Sequence, residues 1–134
     1  MGGYVSELSS RPEKQFAAIT FFLPEGSAYI AYRGTDNSLA GGKEDLNLMF
    51  EEVVPSQASA RAYLEDVARK DGSRLYVGGH SKGGNLAEYA ALTCDGQTYG
   101  RIGHVFNHDG PGFAFAPSAR IKSGEYAAKL SKTV

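Results

Sequence analysis

Residues 75–92 read as one continuous device: an apolar strand, Leu75-Tyr76-Val77, then Gly78-Gly79-His80-Ser81-Lys82-Gly83-Gly84, then the helix-forming stretch Asn85-Leu86-Ala87-Glu88-Tyr89-Ala90-Ala91-Leu92. A strand that becomes a helix within so few residues commits the chain to layered α/β packing, because the helix must return to cover the sheet it has just left. The turn between them has the pattern Gly-x-Ser-x-Gly of a nucleophile elbow. At such a bend the serine backbone is forced into strained geometry, and neighbouring side chains would collide. Gly79 and Gly83 remove those collisions. The Oγ of Ser81 then stands clear of the sheet, while the first N–H groups of the helix and the positive end of its dipole point toward a reacting atom. The chemistry this serves is acyl transfer, hydrolysis first of all. A phosphate-binding loop fits worse, since its Lys precedes the hydroxyl residue and here Lys82 follows Ser81.

The rest of the chain supports a sheet around that device. The apolar run Phe16 to Leu23, the turn Pro24-Glu25-Gly26-Ser27 and the run Ala28 to Arg33 give a β-hairpin. Lys43 to Phe50 reads as a short helix, and Ala60, Tyr63, Leu64, Val67 and Ala68 follow the spacing of a second, which ends at Lys70-Asp71-Gly72. Strand 75–77 and a helix from about Gly83 to Cys94 follow, then the loop Asp95-Gly96-Gln97, a strand Ile102 to Asn107 and a terminal helix Glu125 to Ser131. The order is β-β-α-α-β-α-β-α. Strands alternating with helices from Tyr63 onward imply crossovers, a mostly parallel sheet with helices on both faces, and the hairpin as an antiparallel edge. Segments Gly34 to Gly42 and Asp109 to Gly112 become loops at one end of the sheet, the end that carries function in open α/β sheets.

Composition narrows the partners. The formal net charge of -1, from 14 basic and 15 acidic residues, creates no field favouring nucleic acid or an anionic membrane. Without a span of about 18 apolar residues or a secretion signal, the chain reads as cytoplasmic. The lone Cys94 lies in an apolar helix and reads as a buried thiol. Residues 1–134 form a single domain with too few strands for a complete hydrolase sheet, so the expectation is a piece of a longer chain. A sheet cut after Asn107 to Asp109 would expose an edge open to self-association.

The remaining groups are assigned from their positions relative to Ser81. Tyr32-Arg33-Gly34-Thr35-Asp36 follows the second strand, and the Thr35 backbone N–H is one candidate oxyanion donor. The Lys82 N–H, directly after the nucleophile, is the other. Arg33 and Asp45 are candidates for an ion pair tying that loop down. Asp109, after the next strand, is a candidate for the acid that orients a general base, or equally a turn residue capping its own backbone. The base is the difficulty: no histidine follows Asp109. His80 should point away from Oγ and brace the elbow, His104 is mid-strand, and His108 is a weak candidate because adjacent strand residues face opposite ways. The simpler expectation places the histidine beyond Val134. No step calls for a metal or other cofactor.

The elbow 78–87, together with Tyr32-Arg33-Gly34-Thr35-Asp36 and Asn107-His108-Asp109-Gly110-Pro111-Gly112-Phe113, resembles a bacterial lipase-like family of unknown function in the α/β-hydrolase superfamily, and more distantly class 3 lipases. The resemblance covers about Phe16 to Phe113. It implies an α/β-hydrolase-like fold, Ser81 as nucleophile, Thr35 as the oxyanion-hole residue, and a small carboxylic ester as substrate. Class 3 lipases place their catalytic Asp and His well beyond the strand corresponding to Ile102 to Asn107, which makes Asp109 a structural residue. Lys82 departs from the apolar residue common after lipase nucleophiles, and no apolar lid is evident between Gly34 and Lys43. Two functions follow as expectations: a serine esterase, or a catalytically silent hydrolase-like domain used for binding or assembly. Transfer of the acyl group to an acceptor other than water shares the same acyl-enzyme.

Overall fold

The computed structural model describes residues 2–6, 16–34, 46–113 and 116–133. They form a six-stranded sheet whose spatial order repeats the chain order: β1 (Gly2–Ser6), β2 (Phe16–Phe22), β3 (Ser27–Gly34), β4 (Arg74–His80), β5 (Ile102–His108) and β6 (Leu130–Thr133). The expected hairpin is β2–β3, in antiparallel register from Phe16↔Gly34 to Phe22↔Ala28. β1 extends the antiparallel edge, and β3 to β6 pair in parallel. The α/β class therefore holds.

Helices fill the crossovers: α1 (Leu46–Lys70) between β3 and β4, α2 (Lys82–Thr93) and α3 (Gly96–Arg101) between β4 and β5, and α4 (Gly124–Lys129), after a 3₁₀ turn at Ala119–Lys122, between β5 and β6. Helices on both faces were expected. The described helices instead share one face. Parallel crossovers are right-handed, and a strand order that advances without reversing sends every crossover over the same side of the sheet. The contacts agree: Gln57 of α1 donates to Asn85 of α2, and Tyr126 of α4 donates to Glu88 of α2.

That side holds the core. Ala18, Ala28, Ile30, Leu75, Val77, Ile102 and Val105 from the sheet meet Ala60, Leu64, Val67, Leu86, Ala87, Ala90 and Ala91 from α1 and α2, all buried. Two polar pairs lie within it: Tyr32 Oη donates to the Ala60 carbonyl at 2.8 Å, and Thr20 Oγ1 and Tyr63 Oη lie 2.7 Å apart. Burial, then the neighbouring Tyr63 and Cys94, push the Tyr32 hydroxyl well above its ordinary pKa. On the opposite face Tyr29 stacks on Phe106 with ring centroids 6.0 Å apart, and its hydroxyl lies where a side chain at Gly78 would stand.

Four local expectations need correction. The two helices 43–50 and 60–68 are one 25-residue helix that runs through Pro55. A helical proline forfeits one backbone bond, yet α1 continues past it to Lys70. The loop at 95–97 opens α3, whose first turn is capped by Asp95 accepting from the Thr98 N–H at 2.7 Å. The terminal helix stops at Lys129, and Ser131 lies in β6. The edge foreseen at β5 is therefore occupied, since β6 pairs from Val105↔Leu130 to His108↔Thr133.

Candidate active site

β4 delivers Ser81 to the C-terminal end of the parallel strands, and α2 begins at the next residue. Ser81 has φ 56° and ψ −125°, in the region that L-residues seldom adopt. Its N–H donates to the His108 carbonyl of β5 at 2.8 Å, and its carbonyl accepts from Gly84 N–H at 2.9 Å and Asn85 N–H at 3.3 Å. The strained backbone is thus fixed from both sides. Ser81 occupies the N-cap position of α2, where serine usually spends its hydroxyl on a helix N–H, yet here the side chain makes no such bond. The residue is half-buried.

The two motif glycines touch each other. A Cβ on Gly79 would strike the Gly83 backbone and lie 2.7 Å from the Tyr32 carbonyl oxygen, while one on Gly83 would strike that same carbonyl. The collisions expected from sequence are therefore real, and they reveal a further fact. The end of β3 packs directly on the elbow, with the Arg33 Cα 3.2 Å from where a Gly83 Cβ would be. This brings the strand that leads into Thr35 against the turn that carries Ser81. Thr35 and Asp45 themselves lie outside the described residues. Lys82 is buried at 5% exposure, so its charge is not displayed at the surface.

The histidines are not gathered around Ser81. His108 is exposed at the end of β5, its Nδ1 3.0 Å from Thr133 Oγ1, and its ring stacks beside Phe106 on the face away from the helices. His104 pairs through Nε2 with Ser131 Oγ at 2.7 Å. His80 is exposed rather than packed, which removes the bracing role expected for it. Asp109 stands at the same end as Ser81, exposed, with φ 61° and its N–H donating to the Thr133 carbonyl at 2.6 Å. Among the described residues its carboxylate meets no histidine and caps no turn. That cap comes from Asn107, whose Oδ1 accepts from the Gly110 N–H at 2.8 Å.

Three residues of this region escaped the sequence reading: Asn85, Glu88 and Asn107, each buried to within 3%. Asn85 Nδ2 donates to the carbonyls of Pro111 at 3.0 Å and Gly112 at 3.3 Å. Glu88 accepts from Asn107 Nδ2 through one oxygen and from Tyr126 Oη at 2.8 Å through the other. Lys132 Nζ stands 3.9 Å from the first of these oxygens. Burial first, and then the negative Glu88, hold the Tyr126 hydroxyl protonated far above its ordinary range. The signal was present: Ser81, Asn85 and Glu88 fall at i, i+4 and i+7, so two polar side chains share the nucleophile's helical stripe among alanines and leucines.

A family model for Mbeg1-like proteins matches residues 1–134. The chain belongs to the Mbeg1-like family. Comparison of this Mbeg1-like chain with curated proteins finds no match, and comparison with solved structures finds none. Among the described residues no helix is long and apolar enough to cross a membrane, and no group of three or more His, Cys, Asp or Glu side chains could hold a metal ion. A cavity of about 400 Å³ in the Mbeg1-like chain, lined by Ala68, Arg69, Asp95, Gln97, Thr98 and Arg101, lies near the N-terminal ends of the parallel strands and contains none of the candidate residues.

Proposed function

We propose that this protein is a serine hydrolase acting on small carboxylic esters. Ser81 attacks the acyl carbon, and the Lys82 N–H, with that of Thr35, stabilises the oxyanion. One observation carries the reading: a non-glycine residue held at φ 56° between β4 and α2, its hydroxyl unspent at a cap position that normally consumes it. Backbone strain of this kind costs about 1–3 kcal/mol and persists where the surroundings over-determine it, most often at functional sites. One hydrogen bond into β5, two from the first turn of α2, and a pair of glycines in contact over-determine it here. Among the described residues no histidine side chain is hydrogen-bonded to Ser81, and His104 and His108 pair with Ser131 and Thr133, which supports a general base supplied from elsewhere in the full-length protein. His108 and Asp109 then have structural positions beside Thr133.

The same observation about the histidines favours a rival, a catalytically silent hydrolase-like domain that binds or assembles. A fluorophosphonate probe separates the two. In the full-length protein the hydrolase reading expects covalent labelling that maps to Ser81 by mass spectrometry and vanishes in Ser81→Ala. A folded, full-length protein left unlabelled would favour the silent domain.

A further inference from the structure

Glu88 and Asn107 form a buried polar pair directly behind the elbow, and the serine chemistry as described leaves both unused. α2 joins Glu88 to Ser81 through two turns of helix, and β5 places Asn107 two residues before Asp109. Between them the donors and acceptors are fully assigned. Asn107 gives its N–H to Glu88 and takes the Gly110 N–H, which orients its amide without ambiguity; Glu88 takes Asn107 on one oxygen and Tyr126 on the other. Gly110 is in turn pressed against the nucleophile. A Cβ there would lie 2.6 Å from the Ser81 carbonyl oxygen and 2.9 Å from the Asn85 nitrogen. The two non-glycine residues with positive φ among those described, Ser81 and Asp109, sit on the two sides of this junction.

We propose that the Glu88–Asn107 pair is a positioning device for the nucleophile: it seats the loop 108–112 on the elbow and so holds the Ser81 backbone at the angle from which its hydroxyl reacts. This inference rests on the serine-hydrolase reading above. The route is continuous. The carboxylate fixes the Asn107 amide, the amide fixes Gly110, and Gly110 together with the His108 carbonyl fixes the backbone of Ser81. A buried charge-assisted bond suits this task because the cost of leaving either partner unpaired makes the arrangement switch-like rather than compliant.

The pair can be tested by exchanging its polarity. In Asn107→Asp two carboxylates face each other, and while both are ionised neither has a donor to offer and the loop must move, so the variants are compared at a pH where the pair is ionised. In Glu88→Gln alone, the new amide accepts from Asn107 and donates to Tyr126 Oη, so little changes. In the double variant Glu88→Gln with Asn107→Asp, the introduced glutamine donates to the introduced aspartate and accepts from Tyr126, and every bond between them returns with donor and acceptor reversed. The expected rates of fluorophosphonate labelling at Ser81, measured in the full-length protein where each variant is folded, are about 10- to 100-fold below wild type for Asn107→Asp, with Glu88→Gln and the double variant within about threefold of wild type. With a p-nitrophenyl ester the loss should fall on kcat and leave KM unchanged. Wild-type labelling in Asn107→Asp, or a double variant no faster than Asn107→Asp, would overturn the proposal. If Asn107→Asp does not fold, a folded and labelled double variant is the same rescue, and an unfolded double variant overturns it. Exchange of the Gly110 amide keeps the two hypotheses apart: slow in wild type and the double variant but fast in Asn107→Asp supports the holding role even if no form takes the probe, an outcome that would remove the hydrolase reading instead. Equal exchange in all forms refutes the holding role.

Discussion

The two ends of the parallel strands are both tied down by polar side chains, yet to opposite effect. At the far end Arg101 spends its guanidinium on main-chain carbonyls. Nη1 donates to Ala68 at 2.7 Å, Nε to Ser73 at 3.1 Å, and Nη2 to Asp71 and Ser73. The Ala68 carbonyl is an orphan acceptor of the last turn of α1, Asp71 and Ser73 lie in the connection to β4, and a cation there also opposes the negative end of the helix dipole. The described backbone at that end takes no positive φ outside glycine. At the elbow end, hydrogen bonds hold two residues in sparsely populated geometry, and a hydroxyl is kept off the cap it would ordinarily fill. One end satisfies its groups and relaxes, while the other uses the same kind of bonding to maintain strain. The lesson is that saturation of hydrogen bonds does not by itself distinguish a relaxed end from a strained one; backbone geometry does.

This contrast can be broken by substitution. The largest effect belongs to Ser81. Replacement by glycine should abolish probe labelling and lower esterase turnover by at least about 10⁴-fold, while raising the unfolding free energy by about 1 kcal/mol as the strain at φ 56° is relieved. A drop in melting temperature would show that the conformation carries no strain. Arg101→Met at the other end should do the reverse, costing about 3 kcal/mol in denaturant unfolding as buried carbonyls lose their donor, with labelling of the folded fraction unchanged. Gly83→Ala should cost about 2–3 kcal/mol because the added methyl meets the Tyr32 carbonyl of β3. Gly100→Ala in α3, with nothing within 4 Å of the new carbon, should instead gain about 0.5–1 kcal/mol.

At neutral pH the smallest effect belongs to the far end of α2. Cys94, buried at 2% exposure, has its thiol pushed up to about 11 by burial, an effect that Arg120 partly offsets. Its folded pKa exceeds the unfolded value of 9.0, so no stability is lost below that value, and the loss grows as pH rises from 9 toward 11, where the unfolded chain releases the proton first. The expected loss is about 2 kcal/mol at pH 11. Cys94→Ala should flatten that part of the stability profile, and an unchanged slope would remove the assignment. The buried tyrosines titrate in the same sense, so the comparison is of slopes between the two proteins.

How much of this was legible in the sequence follows from the range of the forces involved. β4, the elbow and α2 were readable because a short strand, two glycines and a helical stripe are signals between near neighbours. The hairpin β2–β3 was readable for the same reason. β6 was not: Leu130-Ser131-Lys132-Thr133 has one apolar residue, and its conformation comes from β5 beside it. α3 carries two glycines and no apolar period, and it owes its place to the Asp95 cap and the hold of Arg101 on the end of α1. The side on which the helices lie depends on strand order, a property of the whole sheet. Within the site Ser81 was legible from its motif. The bonds among Glu88, Asn107 and Gly110 were not, because they join an α2 residue to a strand nineteen positions away.

The chain-ordered sheet also bears on how the protein is made. Each strand docks beside the one synthesised just before it, so folding can follow the ribosome strand by strand. Ser81, however, takes its amide partner from His108, on a strand still to come. The bend is therefore drawn tight only after β5 arrives, and a nascent polypeptide ending between these two positions would leave the backbone of its serine slack.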